Sequence, residues 1–366
     1  MPSSAARTVR PRTAAAVAAV TGASGQDGYL LTARLLREGV TVHATVRSAA
    51  SLASLRSSPG LVIHEVDLCE PAPLRDLIAA VRPDEVYNLA GLSSVAASFA
   101  DPTTAWRTNA DAVEVMLEAI RLKAPTTRFY QSSSSEMFGS VPGGTVTHDE
   151  RSALQPQSPY AASKAAAHAM CDAYRSGFDL RVACGIVFNH ESQRRSSAFL
   201  TRKVVDHVRA LRGSRSIDDA PPMLVGNLAA QRDWGYAPDY VDGIVRIARQ
   251  VETRAAVLGT ALEPDVGSSY RDYVLGTGRL HAVWQLVDRA FALADLPLDW
   301  DRSAADPRDW TARLTRTGTL AVRVDPSLIR PSDPLAIKAD PSRARQELGW
   351  NPAPGIDRFL LEMLES

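Results

Sequence analysis

The sequence predicts an α/β protein: a Rossmann-like doubly wound parallel sheet with a smaller, discontinuous second lobe. Three observations predict it. Apolar runs at 14–20, 41–46, 61–66, 85–89, 128–132 and 181–187 alternate with amphipathic stretches, the pattern of parallel strands buried on both faces and joined by helices. Gly22, Gly25 and Gly28 follow the first run directly, where a strand must turn tightly into a helix. The 366 residues, 45% hydrophobic and 22% charged, suffice for a large core and a second lobe.

Composition narrows the partners. Lys plus Arg and Asp plus Glu both number 41, so the formal net charge is zero and no global field would recruit nucleic acid or a membrane. Cys69, Cys171 and Cys184 are scattered and lack metal-ligand spacing, and the seven histidines show no such pairing. The expectation is core thiols, a reducing cytoplasmic compartment and no metal. Residues 1–13 carry Arg7, Arg10 and Arg12 without an acid; a disordered tail is expected, an organelle transit peptide being the other reading. The run 14–20 is too short to span a bilayer.

Along the chain, 14–20 reads as the first strand. Thr21 and then Gly22, Ser24, Gly25, Gln26, Asp27 and Gly28 form a loop that lets backbone approach a pyrophosphate at the N-terminus of a helix over 29–38. The second strand ends at Arg47 and Ser48, where the adenosine ribose of a dinucleotide would lie. An arginine there in place of an acid suits a 2′-phosphate, hence NADP; the other reading is a solvated surface arginine. The third strand ends at Asp67 and Leu68, the fourth at Ala90 and Gly91, and a helix over 102–122 leads to the fifth.

Ser134 and Glu136 follow that fifth strand, and after the loop 139–157 comes a helix bearing Tyr160 and Lys164. Residues four apart share a helix face, so the ammonium is expected beside the phenol, favouring its ionised form and making Tyr160 a general base. Ser134 offers a hydroxyl to hold a sugar oxygen, and Glu136 a second base for a carbon-bound proton. Two bases imply that more than one proton moves. The segment 189–203 concentrates Arg194, Arg195, Arg202 and Lys203, and Arg232, Arg323 and Arg330 follow. Neighbouring arginines can clamp a diphosphate; ordinary surface charge is the other reading.

Residues 270–278 look like a late strand returning to the first lobe. The expected division is therefore a nucleotide domain over 14–188, with 236–278 returning in part, and a substrate-binding lobe over 189–235 and 279–366. The stretches 251–272 and 299–320 lack periodicity and are expected as long loops.

With these residues in place, the chain resembles the GDP-mannose 4,6-dehydratase family of the extended short-chain dehydrogenase/reductase superfamily. The resemblance rests on residues 21–28, Arg47 with Arg56, Tyr87-Asn88-Leu89-Ala90, Gln131 with Ser135-Glu136, Asn189-His190-Glu191-Ser192, Thr201-Arg202-Lys203, Gly226-Asn227-Leu228, Arg232-Asp233-Trp234-Gly235 and Arg330-Pro331. The Tyr-Lys pair marks the superfamily only.

The resemblance implies a catalytic set of Ser134, Glu136, Tyr160 and Lys164. It also implies cofactor contacts at Asp67, Leu68, Leu89, Ala90, Gly91, Ser93, His190 and Arg195, substrate contacts at Ser93, Asn189, Lys203, Asn227, Arg232 and Arg330, and a homo-oligomer. Departures from the family pattern at Ser134, Ser94 and Gln157 bear on the hexose more than on the reaction. The expected reaction is NADP-dependent dehydration of a nucleotide-activated hexose. Rival expectations are a different nucleotide sugar, an epimerase or 4-keto reductase, and a non-catalytic nucleotide-sugar binder. A carboxylate at 136 argues against the epimerase and reductase.

Overall fold

The computed structural model describes residues 16–140, 146–214, 217, 220–329, 336–353 and 355–366. The first half runs β1 (Val17–Thr21), α1 (Gln26–Arg37), β2 (Thr41–Val46), β3 (Leu61–Glu65), α2 (Ala72–Val81), β4 (Glu85–Asn88), α3 (Val95–Ala100), α4 (Pro102–Trp106), α5 (Ala112–Lys123), β5 (Arg128–Ser134), β6 (Val146–His148), α6 (Pro159–Phe178) and β7 (Val182–Val187). The second half runs β8 (Asn189–Glu191), α7 (Leu200–Gly213), β9 (Met223–Val225), β10 (Gln231–Arg232), β11 (Trp234–Tyr236), α8 (Ala237–Ala248), α9 (Gln250–Leu258), β12 (Tyr273–Leu275), β13 (His281–Ala282), α10 (Val283–Ala292), β14 (Leu298–Asp301), β15 (Thr311–Leu314), β16 (Leu320–Val324), β17 (Ala336–Ala339), α11 (Ser342–Leu348) and α12 (Asp357–Glu365).

Seven parallel strands form the main sheet in the order β12-β7-β5-β4-β1-β2-β3. Strands of this kind need both faces covered, and separate apolar clusters lie on the two faces, one with Leu31, Leu35 and Ile244, the other with Met116, Ile120 and Cys171. Strand order reverses between β1 and β4, which opens a crevice beyond their carboxyl ends. The late strand β12 pairs with β7. In the second lobe, α7, α10 and α12 share one core with the sheet β14-β15-β16-β9.

Three local expectations are corrected. The helix over 102–122 is interrupted by a π turn at Arg107–Asp111, whose extra residue rotates Asn109 inward. Residues 251–258 are helical within α9, whose buried positions include Gln250 and Arg254, so no apolar stripe announces it. The 299–320 region contributes to β14, β15 and β16, antiparallel strands too short to display a period. Residues 1–13 and Arg330 lie outside the described residues.

Asp233 fastens the lobes. It is fully buried, and it accepts from the Thr277 amide (2.8 Å) and hydroxyl (2.6 Å), the Gly278 amide (2.8 Å) and the Ala339 amide (3.3 Å). Replacing it with Ala leaves these buried donors without an acceptor. Asp233→Ala is expected to lower unfolding free energy by about 3 kcal/mol and Asp233→Asn by less, read as urea midpoints at unchanged m value.

Candidate active site

The loop after β1 lies against the loop after β4 with no room for side chains. A Cβ at Gly22, where φ is +67°, would stand 2.8 Å from Ala90 Cα, and one at Gly28 would stand 2.1 Å from the Gly22 carbonyl. Only glycine permits this approach. Ser24 and Gly25 are exposed at the tip, and the Gly25 amide donates to the Gly22 carbonyl at 2.9 Å.

The first residues of α1 are tied to β8. Gln26 Nε2 donates to the His190 carbonyl (2.9 Å), Ser192 Oγ donates to Gln26 Oε1 (2.9 Å), and His190 Nε2 meets Asp27 Oδ2 at 2.8 Å. The other imidazole nitrogen bonds the Phe188 carbonyl, and the ring stacks on Tyr240 at 4.5 Å. Burial alone would raise the Asp27 carboxyl, but His190's charge and hydrogen bond hold it below the usual range. Burial would likewise lower His190, and Asp27 outweighs it, so the imidazole is raised. The structure thus brings Gln26, Asp27 and His190 together, bonded to one another.

A chain of buried side chains crosses the strand ends. Thr21 Oγ1 donates to Asn88 Oδ1 (2.6 Å), Asn88 Nδ2 to Gln131 Oε1 (2.8 Å), and Gln131 Nε2 to the Ser132 carbonyl (3.1 Å). The same carbonyl accepts from Lys164 Nζ at 2.9 Å. Leu89 and Ala90 donate their amides to Thr21 Oγ1, each at 3.2 Å.

Tyr160 and Lys164 are buried on α6. Burial pushes the phenol up to about 12; the Ser134 hydrogen bond and the Arg195 charge pull it down, and the Glu136 charge pushes it further up. Burial lowers the Lys164 ammonium to about 8. The Lys164 ammonium bonds the Ser132 carbonyl, and the groups that pull the phenol down are the Ser134 hydroxyl and Arg195. Ser134, the last residue of β5, also accepts the Glu136 amide at 3.2 Å, so the 3-10 turn Ser135–Phe138 holds the carboxylate close enough for its charge to act on the phenol. Arg195 in turn meets Glu191 at 3.0 Å.

Asn109 belongs to this group, although sequence reasoning missed it. Its Nδ2 donates to the Leu92 carbonyl (3.1 Å) and Ser163 Oγ (3.0 Å). A Cβ at Gly91, where φ is +147°, would lie 2.2 Å from Asn109 Oδ1 and 3.8 Å from Lys164 Nζ. The available signal was a polar residue within an apolar-periodic helix.

The remaining expected residues are spread around this centre. Arg47 and Ser48 are exposed just beyond β2, Asp67 is exposed beyond β3 and accepts the Cys69 amide, Leu68 is buried, and Ser93 is exposed. Asn189 opens β8, opposite Trp234. Lys203 is exposed on α7, Asn227 Oδ1 accepts the Ala229 amide, and Arg232 donates to the Gln231 carbonyl. These second-lobe residues stand on separate elements.

A sequence profile described as GDP-mannose 4,6 dehydratase matches residues 19–363. The chain belongs to the GDP-mannose 4,6-dehydratase family. A relative named GDP-mannose 4,6 dehydratase 2, from Arabidopsis thaliana, is 34% identical over 364 residues, covering 95% of this chain and 86% of its own. GDP-mannose 4,6-dehydratase from Sinorhizobium fredii is 33% identical over 362 residues, covering 95% of each. Among solved structures, dTDP-glucose 4,6-dehydratase from Bacillus anthracis in complex with NAD has a TM-score of 0.72 at 19% identity, covering 96% of each chain. UDP-glucose 4-epimerase from Thermotoga maritima with UDP-glucose has a TM-score of 0.73 at 19% identity, covering 95% of this chain and 97% of its own. These two likenesses speak to fold.

The Asp27–His190 pair gives this dehydratase-family site a pH signature. A raised imidazole contributes stability that is complete below its unfolded value of about 6.5 and is lost as pH rises through the folded value. A lowered carboxyl contributes above its unfolded value of about 4, lost as pH falls through the folded one. The stability gap between wild type and His190→Gln is therefore expected to be widest near pH 5–6 and to narrow toward pH 9, read by urea denaturation across that series.

Proposed function

We propose that the chain is an NADP-dependent dehydratase of a nucleotide-activated hexose, with GDP-mannose as substrate and GDP-4-keto-6-deoxymannose as product. The observation that carries this reading is the placement of the Glu136 carboxylate within electrostatic reach of the Tyr160 phenol, beside Ser134. An epimerase or a 4-keto reductase needs the phenol and lysine but has no use for that carboxylate. Family membership favours GDP-mannose. The exposed Arg47 at the end of β2 supports NADP over NAD.

The glycine-only contact between the loops after β1 and β4 suits close backbone approach to a dinucleotide. A nicotinamide bound there would take hydride from carbon 4 and return it to carbon 6, so it is not consumed. Tyr160 accepts the proton of the 4-hydroxyl, whose oxygen Ser134 holds. Glu136 removes the proton from carbon 5, made acidic by the neighbouring ketone, and passes it to the 6-hydroxyl, which departs as water; the proton taken by Tyr160 is given back to carbon 5 as carbon 6 is reduced. Lys164, fixed on the Ser132 carbonyl, keeps a positive charge near these proton transfers. A homo-oligomer is part of the reading, supported by the half-exposed Phe99, Trp106, Leu122 and Phe178 on α3 to α6.

Incubation with GDP-mannose is expected to give a product lighter by one water in mass spectrometry. Glu136→Gln should lower that product by at least about 100-fold while reduced cofactor accumulates at 340 nm, roughly the usual nicotinamide band; full turnover would remove Glu136 from its role. Arg47→Ala is expected to weaken NADP by about tenfold, leaving NAD binding unchanged in calorimetry.

A further inference from the structure

Behind the end of β5, on the side of the sheet covered by α6, polar atoms from β5, α6, β7 and the entry to β12 meet in a place the proposed reaction does not use. His168 follows Lys164 by one helical turn. Its Nδ1 is hydrogen-bonded to Ser133 Oγ at 2.9 Å, and its Nε2 faces Asp272 Oδ2 at 3.8 Å. Cys184 on β7 is fully buried, and its amide donates to Asp272 Oδ1 at 2.7 Å. One ligand atom each from His168, Cys184 and Asp272 falls within 4.8 Å of the others. Cys171, also fully buried, lies three residues past His168 on α6, and its thiol is in hydrogen-bond contact with that of Cys184.

We propose that His168, Cys184 and Asp272, with Cys171 as fourth ligand, form a buried tetrahedral site for one zinc-class divalent cation. An imidazole, thiolates and one carboxylate are the donors such ions take. Metal–ligand distances of about 2.0–2.3 Å place tetrahedral donors about 3.3–3.8 Å apart, so the three donors need close by no more than about 1.5 Å, while Cys171, outside that group of three, must turn its thiol inward to join them.

The supporting contacts are already made. Ser133 holds the far nitrogen of His168, and Arg175 fixes both oxygens of Asp272, Nη1 donating to Oδ1 at 2.7 Å and Nη2 to Oδ2 at 2.9 Å. Such outer contacts orient ligands toward a metal. The charges also close: a divalent ion and the Arg175 guanidinium balance two thiolates and the Asp272 carboxylate, as a buried site requires. The ion would brace α6 one turn beyond Lys164 against β7 and the entry to β12.

The test uses the full chain, stripped with a chelator, dialysed and titrated with cobalt(II) alone. One equivalent is expected to bind with a thiolate-to-metal charge-transfer band and the strong visible absorption of tetrahedral cobalt, and zinc should displace it. Cys184→Ser should abolish the band. It should also weaken zinc competition by at least about 100-fold, beyond the usual effect of losing a supporting residue, as should His168→Gln. Cys69→Ser should change nothing. Circular dichroism and melting of each variant establish that it is folded, and His168→Gln can retain a bond to Ser133. A folded wild type that shows no thiolate band at saturating cobalt overturns the site, as does a band that survives Cys184→Ser in folded protein. The cluster is then an ionic network of His168, Asp272 and Arg175.

Discussion

The line of hydrogen bonds from Thr21 through Asn88 and Gln131 to the Ser132 carbonyl, where Lys164 also ends, fixes the centre of this molecule. Parallel strands normally finish in apolar residues on both faces, yet β1, β4 and β5 here carry polar side chains that are almost wholly buried. Each would cost about 1–3 kcal/mol if left unsatisfied. Satisfying them together dictates how the strand ends align, and the Thr21 hydroxyl extends that alignment to the Leu89 and Ala90 amides. The loops after β1 and β4 are therefore held together from beneath by hydrogen bonds and from above by the absence of a Cβ at Gly22. Lys164 is positioned by a main-chain oxygen of this network, which is why its place does not depend on the phenol.

Two contacts of different character tie segments beyond β7 to that centre. Asp233 accepts four hydrogen bonds in a buried space, a fixed joint between β10, β12 and β17. The other point is charged: β8 presents His190 and Ser192 to Gln26 and Asp27 at the start of α1. An acid in the first turn of a helix would oppose an incoming phosphate, since both seek the same positive end of the dipole. His190 offsets that acid, so the turn that carries Asp27 can serve as a lobe contact without repelling an anion. One histidine thus links the geometry of the second lobe to the electrostatics of the first.

What the sequence made legible was local. The glycine spacing, the strand runs and the positions of Ser134, Glu136, Tyr160 and Lys164 each depend on residues a few places apart. What stayed hidden had one of two causes. Asn109 sits in a π turn, where the helical period is broken and its direction cannot be projected from its neighbours. The buried face of α9 includes Gln250 and Arg254, which bond to each other, so the helix lacks the apolar stripe that normally reveals one. Pairings across long chain separations, such as Asp27 with His190 or His168 with Asp272, exist only once β8 and β12 have taken their places in the sheets. A shared helix face brings Tyr160 and Lys164 within reach of each other, but the ammonium's bond to the Ser132 carbonyl on another strand could not be read from that face.

Burial moves the two basic groups of α6 toward neutrality from opposite directions, the phenol up to about 12 and the ammonium down to about 8. Near neutral pH a phenol in this state keeps its proton, and the nearby Glu136 charge makes its loss harder still. Tyr160 therefore becomes a base only when compensating positive charge gathers around it, and Arg195 and the Lys164 ammonium supply part of that charge from the protein. In the proposed reaction the remainder arrives with the oxidised nicotinamide, so proton removal from the sugar is coupled to the presence of a hydride acceptor. Glu136, half-buried in the same region, has the complementary constraint: its proton is taken from carbon only after the ketone forms, when the substrate itself has become the stronger acid. In the proposed reaction the order of the two proton transfers therefore follows from the substrate's own chemistry, because carbon 5 is acidic only once carbon 4 is a ketone.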